Sequence, residues 1–179
     1  MKNNQKVATF GGGCFWCTEA VFRRLDGVSS VVSGYAGGTA DEANYRDVCD
    51  GTTDHAEAIE ITFDPEIISF ETLVHVHLTT HDPTTLNQQG ADRGTQYRSV
   101  IFYHNEQQKN IARFVIKELA TEFDNPIVTT LEPYEEFFVA EKNHQEYYER
   151  NETARYCQIV IVPKIQKLEE SWAHLLKDD

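Results

Sequence analysis

Val7-Ala8-Thr9-Phe10-Gly11-Gly12-Gly13-Cys14-Phe15-Trp16-Cys17-Thr18-Glu19-Ala20-Val21-Phe22-Arg23-Arg24-Leu25 hands a short apolar run to three glycines, a cysteine, two aromatics and a second cysteine. Val7 to Phe10 reads as a strand. From Cys17 onward the apolar residues Cys17, Val21 and Leu25 recur every four positions with Ala20 beside them, the spacing of an amphipathic helix. Cys14 therefore stands at a strand-to-helix turn, near the helix N-terminus. Unpaired N–H groups and the positive end of the helix dipole favour an anion there, which is how a cysteine pKa falls from about 8.5 towards neutrality. The expectation is a Cys14 thiolate.

Outward from this segment, residues 28–35 are rich in β-branched side chains and read as a strand, and 36–46 as a loop around Gly37-Gly38. In 56–63, Ile59, Ile61 and Phe63 alternate with Ala58, Glu60 and Thr62, so one face points inward. Glu57 falls on that apolar face. Ser69 caps a helix through Phe70, Leu73, Val74, His77 and Leu78 that stops before His81-Asp82-Pro83. Residues 84–95 form a loop too long to be mere connection. Residues 96–103 read as a strand, and 105–123 as a helix with Ala112, Val115, Ile116, Leu119 and Phe123 inward. Then come a short strand at 127–131, a polar helix at 141–150, an extended apolar piece at 158–162 and a last helix marked by Ile165, Leu168, Trp172 and Leu175. This order predicts an α+β fold, a mixed, mostly antiparallel sheet with helices packed on it.

A chain of 179 residues that is 40% hydrophobic and 25% charged suits one globular domain over residues 1–179. No apolar run of signal-peptide or membrane-span length is present, so a cytoplasmic protein is expected. A net charge of −13 argues against a nucleic-acid or anionic-membrane surface. Four cysteines, Cys14, Cys17, Cys49 and Cys157, are too few for a disulfide scaffold and leave redox, metal and nucleophilic chemistry open.

Cys14-Phe15-Trp16-Cys17 is a C-x-x-C at a helix start, which in isolation reads as a thioredoxin-like dithiol. A zinc site would need a second pair, Cys49 with His55 or His77 with His81, and neither has the usual spacing. As a nucleophile, Cys14 needs a partner that moves a proton.

Gly11-Gly12-Gly13-Cys14-Phe15-Trp16-Cys17, Gly34-Tyr35-Ala36-Gly37-Gly38, Asn44-Tyr45-Arg46-Asp47-Val48-Cys49, His55-Ala56-Glu57, His81-Asp82-Pro83-Thr84, Gly94-Thr95-Gln96-Tyr97-Arg98-Ser99 and Tyr156-Cys157 occur in one order over most of the chain. Together they resemble the A-type peptide-methionine sulfoxide reductases. The resemblance implies a two-layer sandwich on a ferredoxin-like βαββαβ core with an irregular C-terminal tail. It makes Cys14 the nucleophile, Glu57 the acid that protonates the sulfoxide oxygen, Tyr45 and Tyr97 hydrogen-bond donors to that oxygen, and Asp92 an acid that orients the substrate. Phe15 and Trp16 would wall the pocket for the S-methyl group. Cys157 would recycle the Cys14 sulfenic acid through a disulfide that thioredoxin reduces, with Cys17 an alternative resolving thiol. No cofactor, no metal and a monomer acting on the S-epimer of methionine sulfoxide, free or in proteins, are the further expectations. Cys49 is expected to be structural, and His144 to lie on a solvated helix face. Asp54 stands where the family usually has glycine.

Overall fold

The computed structural model describes residues 4–178. In chain order it contains β1 (Lys6–Gly11), α1 (Phe15–Phe22), β2 (Val28–Ala36), α2 (Tyr45–Cys49), β3 (Ala56–Phe63), α3 (Phe70–Thr80), β4 (Gln88–Gln89), β5 (Asp92–Arg93), β6 (Val100–Tyr103), α4 (Glu106–Leu119), β7 (Thr130–Pro133), β8 (Phe137–Val139), α5 (Tyr147–Arg150) and α6 (Val162–Trp172). Six strands make one sheet in the order β7-β6-β1-β3-β2-β8. All its pairings are antiparallel except β6 with β7. β4 and β5 form a separate two-stranded ribbon inside the long loop.

β1 is a central strand because it is apolar enough to be covered, with Ala8 and Phe10 fully buried. Phe10 meets Phe22 of α1 at 5.7 Å, Phe70 of α3 at 6.0 Å and the His77 ring at 4.7 Å between ring centres. One aromatic thus ties the sheet to two helices, and truncating such a residue to Ala costs about 3–5 kcal/mol. The Ser69 hydroxyl accepts the Thr72 N–H and caps α3 as expected, and Leu73, Val74, His77 and Leu78 form its buried face. Ile59, Ile61 and Phe63 of β3 are buried while Glu60 and Thr62 are half-exposed, so the alternation holds, and Glu57 is buried with them.

Several elements differ from expectation. Residues 96–103 are a strand only from Val100, because Thr95–Tyr97 form a 3-10 turn behind Gly94. Residues 45–49, read as loop, form α2, whose Asn44 side chain accepts the Asp47 N–H. The apolar piece at 158–162 is helical. Cys157–Ile161 form a π-turn leading into α6, and Cys157, Ile161, Ile165 and Leu168 bury every three or four residues. The polar helix at 141–150 is a 3-10 turn, Lys142–His144, followed by the short α5. The end of the chain is helical rather than irregular, and it returns to the α1–β2 turn, where Asp26 N–H donates to Leu175 O at 2.8 Å and Lys177 N–H to Arg24 O at 2.9 Å. This return brings the C-terminal third of the chain against α1. No helix among the described residues is long and apolar enough to cross a membrane.

Candidate active site

The glycine turn is built by close packing. A Cβ on Gly12 would lie 2.9 Å from His77 Cε1 and 3.1 Å from the His81 ring, so only glycine lets the backbone rest on this buried histidine pair. Gly13 has φ +85°, in the left-handed region, and its N–H donates to Tyr97 O at 3.2 Å. His77 Nε2 bonds Gly11 O at 3.0 Å, and His81 Nε2 bonds Ser99 Oγ at 2.7 Å. His77 thus supports the turn through Nε2 and His81 backs it by packing under Gly12, and neither ring bonds a cysteine. Burial holds both histidines neutral, with His81 at about 3. His55 clasps the other glycine loop, accepting Gly38 N–H at Nδ1 and bonding Thr39 O through Nε2.

Cys14 is the N-cap residue of α1, and its carbonyl accepts Cys17 N–H at 3.0 Å. The helix does not make it a resting thiolate. The Trp16 N–H favours the anion, but burial, hydrogen bonding with Cys17 and the facing Glu57 carboxyl push the Cys14 thiol well up. The first free N–H of the helix is also spent elsewhere, since Phe15 N–H donates to Glu57 Oε1 at 3.1 Å. Cys17 is the more acidic member of the pair. Hydrogen bonding from Cys14 lowers it to about 7 against the opposing effect of burial.

Glu57 is 2% exposed. Burial raises its carboxyl from 4.5 to about 8, despite the Phe15 N–H, so it is largely protonated at neutral pH. One carboxyl oxygen is pinned by the helix N-terminus, and the group faces the sulfur of Cys14. An acid that keeps its proton at pH 7 beside a nucleophile is the arrangement proton-assisted cleavage of a polar bond requires.

Tyr45 opens α2 and Tyr97 ends the 3-10 turn, both half-buried. Burial raises both phenols, followed by the charges of Glu57 and Cys49, and Cys14 acts on both as well. Both hydroxyls therefore stay protonated around the Cys14–Glu57 pair and can donate. Asp92 on β5 accepts from Tyr156 O–H at 3.2 Å, and the same hydroxyl lies 3.7 Å from Cys17 Sγ. Phe15 is fully buried, and Trp16 is half-exposed with Tyr147 stacked on it at 3.7 Å and Tyr156 edge-on at 5.6 Å.

Cys157 is fully buried in the same apolar cluster as Cys14 and Cys17, immediately after Tyr156. Cys49 is exposed at the end of α2. Expected to be structural, it instead lies at the surface facing Tyr45. The largest omission from the sequence reading is His144. It is 6% exposed, accepts the Trp16 indole N–H at Nδ1 at 3.1 Å, and lies against the Tyr45 ring at 4.2 Å. The polar residues around it hid this role, whereas the tyrosines that follow at 147 and 148 were the available signal of an aromatic site.

The model of one protein family, peptide methionine sulfoxide reductase, matches residues 6–176. The chain belongs to the peptide methionine sulfoxide reductase family. Peptide methionine sulfoxide reductase MsrA 1 of Rhodopirellula baltica is 52% identical over 173 residues, covering 97% of this chain and 90% of the relative. Reduced Mxr1 of Saccharomyces cerevisiae superposes with a TM-score of 0.81 at 33% identity, covering 88% of this chain and 91% of Mxr1. Mxr1 in complex with Trx2 shares the fold with a TM-score of 0.57 at 24% identity, over 82% of this chain and 87% of that one. Peptide methionine sulfoxide reductases of this kind reduce methionine sulfoxide, and the chain is accordingly an oxidoreductase. The mixed α+β architecture, a curled six-stranded sheet with helices, is that of the solved relatives.

Proposed function

We propose that the chain, as one domain, reduces the S-epimer of methionine sulfoxide, free or in proteins, through Cys14 with Glu57 as the acid. The observation that carries this reading is the buried Glu57 carboxyl, protonated at neutral pH and fixed by Phe15 N–H against Cys14. Attack on a sulfoxide sulfur turns its oxygen into a leaving group, which needs a proton. Glu57 supplies that proton while the Tyr45 and Tyr97 hydroxyls donate hydrogen bonds to the same oxygen. Cys14 passes its own proton to the Glu57 carboxylate as its sulfur attacks. The oxygen then moves to Cys14, so that thiol and sulfoxide become sulfenic acid and thioether and Glu57 ends as it began. Phe15 and Trp16 hold the S-methyl group against aromatic faces, a contact sulfur compounds favour. Asp92 orients the substrate.

Recycling needs a second thiol, which condenses with the sulfenic acid and releases water; thioredoxin then reduces the disulfide. Cys157 is that thiol in our reading, with no cofactor and no metal. The strand order β6-β1-β3-β2 with α1 and α3 as crossovers supports a ferredoxin-like core for the same domain. A second reading, with Cys17 resolving, is favoured by its place three residues on, where its N–H donates to Cys14 O at 3.0 Å, and by its lowered pKa of about 7. Mass spectrometry after one equivalent of sulfoxide without reductant separates them. A Cys14–Cys157 disulfide supports the first, a Cys14–Cys17 disulfide the second, and no methionine formed at all contradicts the proposed activity.

A further inference from the structure

We infer that His144 is a positioning residue, whose Nδ1 holds the Trp16 indole in the orientation that walls the substrate pocket and lets it go on protonation. This rests on the assignment of Trp16 to the pocket made above. The sequence offers His144 as one polar residue among many, but the fold buries it against α1 and α2. Trp16 of α1 donates to its Nδ1 at 3.1 Å, the Tyr45 ring of α2 lies 4.2 Å from its ring, and the Phe15 ring 5.6 Å. Three of the aromatic residues expected around the substrate therefore converge on one imidazole.

The segment that carries His144 is fixed independently of the ring. Gln145 accepts Ser33 N–H at 2.9 Å and donates to Ser33 O at 2.8 Å, and Glu146 N–H donates to the buried Glu19 carboxylate at 2.7 Å. Glu141 accepts Tyr35 O–H at 3.1 Å and Tyr45 N–H at 3.2 Å. The imidazole is thus presented to Trp16 by a framework anchored on β2, α1 and α2.

Accepting from the indole leaves the Nε2 nitrogen to carry the proton of the neutral ring. Nε2 faces Glu141 Oε2 at 3.7 Å. A second proton on Nδ1 would set two donors against each other, and the indole would lose its partner. Of the groups facing the ring, Phe15 and Trp16 on α1 do not titrate. The Tyr45 hydroxyl on α2 is raised by burial, and Glu141 on the same segment favours the charged form. Burial outweighs Glu141 and holds His144 below the ordinary histidine range. The indole is therefore held at neutral pH and released in acid, below the ordinary histidine range.

Two variants separate positioning from plain packing. His144→Phe keeps the ring against Tyr45 and removes the acceptor; His144→Asn keeps an acceptor near Nδ1 that cannot titrate. With N-acetylmethionine sulfoxide as substrate and dithiothreitol as reductant, His144→Phe is expected to raise KM roughly 3–10-fold, the loss of one hydrogen bond, and to leave kcat within about twofold. His144→Asn should restore KM and abolish its rise in acid. Intrinsic emission in a Trp172→Phe background reads Trp16 alone and requires no turnover. It should shift as pH falls in the parent, show the shifted form at every pH in His144→Phe, and stay constant in His144→Asn. Emission that ignores pH in the parent overturns the inference, as do variants that lose kcat and KM together without change in Trp16. Should the Phe variant not fold, the parent titration and the Asn variant decide alone. Failure of the activity itself, with the emission behaving as described, would count against the proposed function and not against the His144–Trp16 link.

Discussion

Replacing Glu57 by glutamine should make the protein more stable and nearly inactive at once. Burial holds the folded carboxyl at about 8 against 4.5 for the ordinary group. Between these values the folded chain keeps a proton that the unfolded chain has lost. Stability from this group is therefore complete below about pH 4.5 and drains away as pH rises towards 8. By pH 7 the interval above 4.5, at about 1.4 kcal/mol per pH unit, amounts to about 3 kcal/mol. The glutamine amide would stay neutral and still accept Phe15 N–H, so Glu57→Gln removes the penalty without removing the bond. We expect the melting temperature at pH 7 to rise by roughly 6–12 °C, with the gain shrinking towards pH 4.5. The same change removes the proton donor, worth roughly 100- to 10,000-fold in rate. Scanning calorimetry at the two pH values and a sulfoxide reduction assay test both halves. Wild-type turnover, or a variant no more stable at pH 7 than at pH 4.5 relative to the parent, would refute the assignment of Glu57 as a buried, protonated acid.

The rate should have an alkaline limb near pH 8, where Glu57 ionises, and the residual activity of Glu57→Gln should lack it; a limb of equal position in both would assign it elsewhere. Tyr97→Phe removes a donor to the developing charge on oxygen and should lower kcat roughly tenfold with little change in KM, read by steady-state kinetics. Gly12→Ala forces a methyl group to within 2.9 Å of His77 and should cost about 1–3 kcal/mol in urea unfolding, with activity falling because the same turn carries Cys14.

The glycine turn at Cys14 and the inward face of β3 were legible because their signals are local. The four-residue spacing from Cys17 to Leu25 predicted α1, and the alternation of Ile59, Ile61 and Phe63 placed Glu57 inward before any chemistry was considered. The charge state of Cys14 was not legible. It depends first on burial, then on Cys17 and on Glu57, which lies on a strand far along the chain and takes the helix N–H that a thiolate would use. The run Ile159-Val160-Ile161-Val162 reads as strand by residue type, yet packing against α1 selects the helical period through Cys157, Ile161 and Ile165. His144 escaped for the same reason: its polar neighbours imply solvent, and only the return of the C-terminal segment onto α1 and β2 buries it.

In the proposed reaction Cys14 takes the oxygen from the sulfoxide and Glu57 supplies the proton. One measurement reaches it directly: the S-epimer of N-acetylmethionine sulfoxide is added in one equivalent without reductant, in the presence of dimedone, and the protein is mapped by mass spectrometry while thioether is quantified. One thioether per chain is expected, with dimedone or a new disulfide on Cys14, and neither in Cys14→Ser. Thioether formed by Cys14→Ser, or oxidation appearing on Cys17, Cys49 or Cys157 with Cys14 untouched, would contradict it.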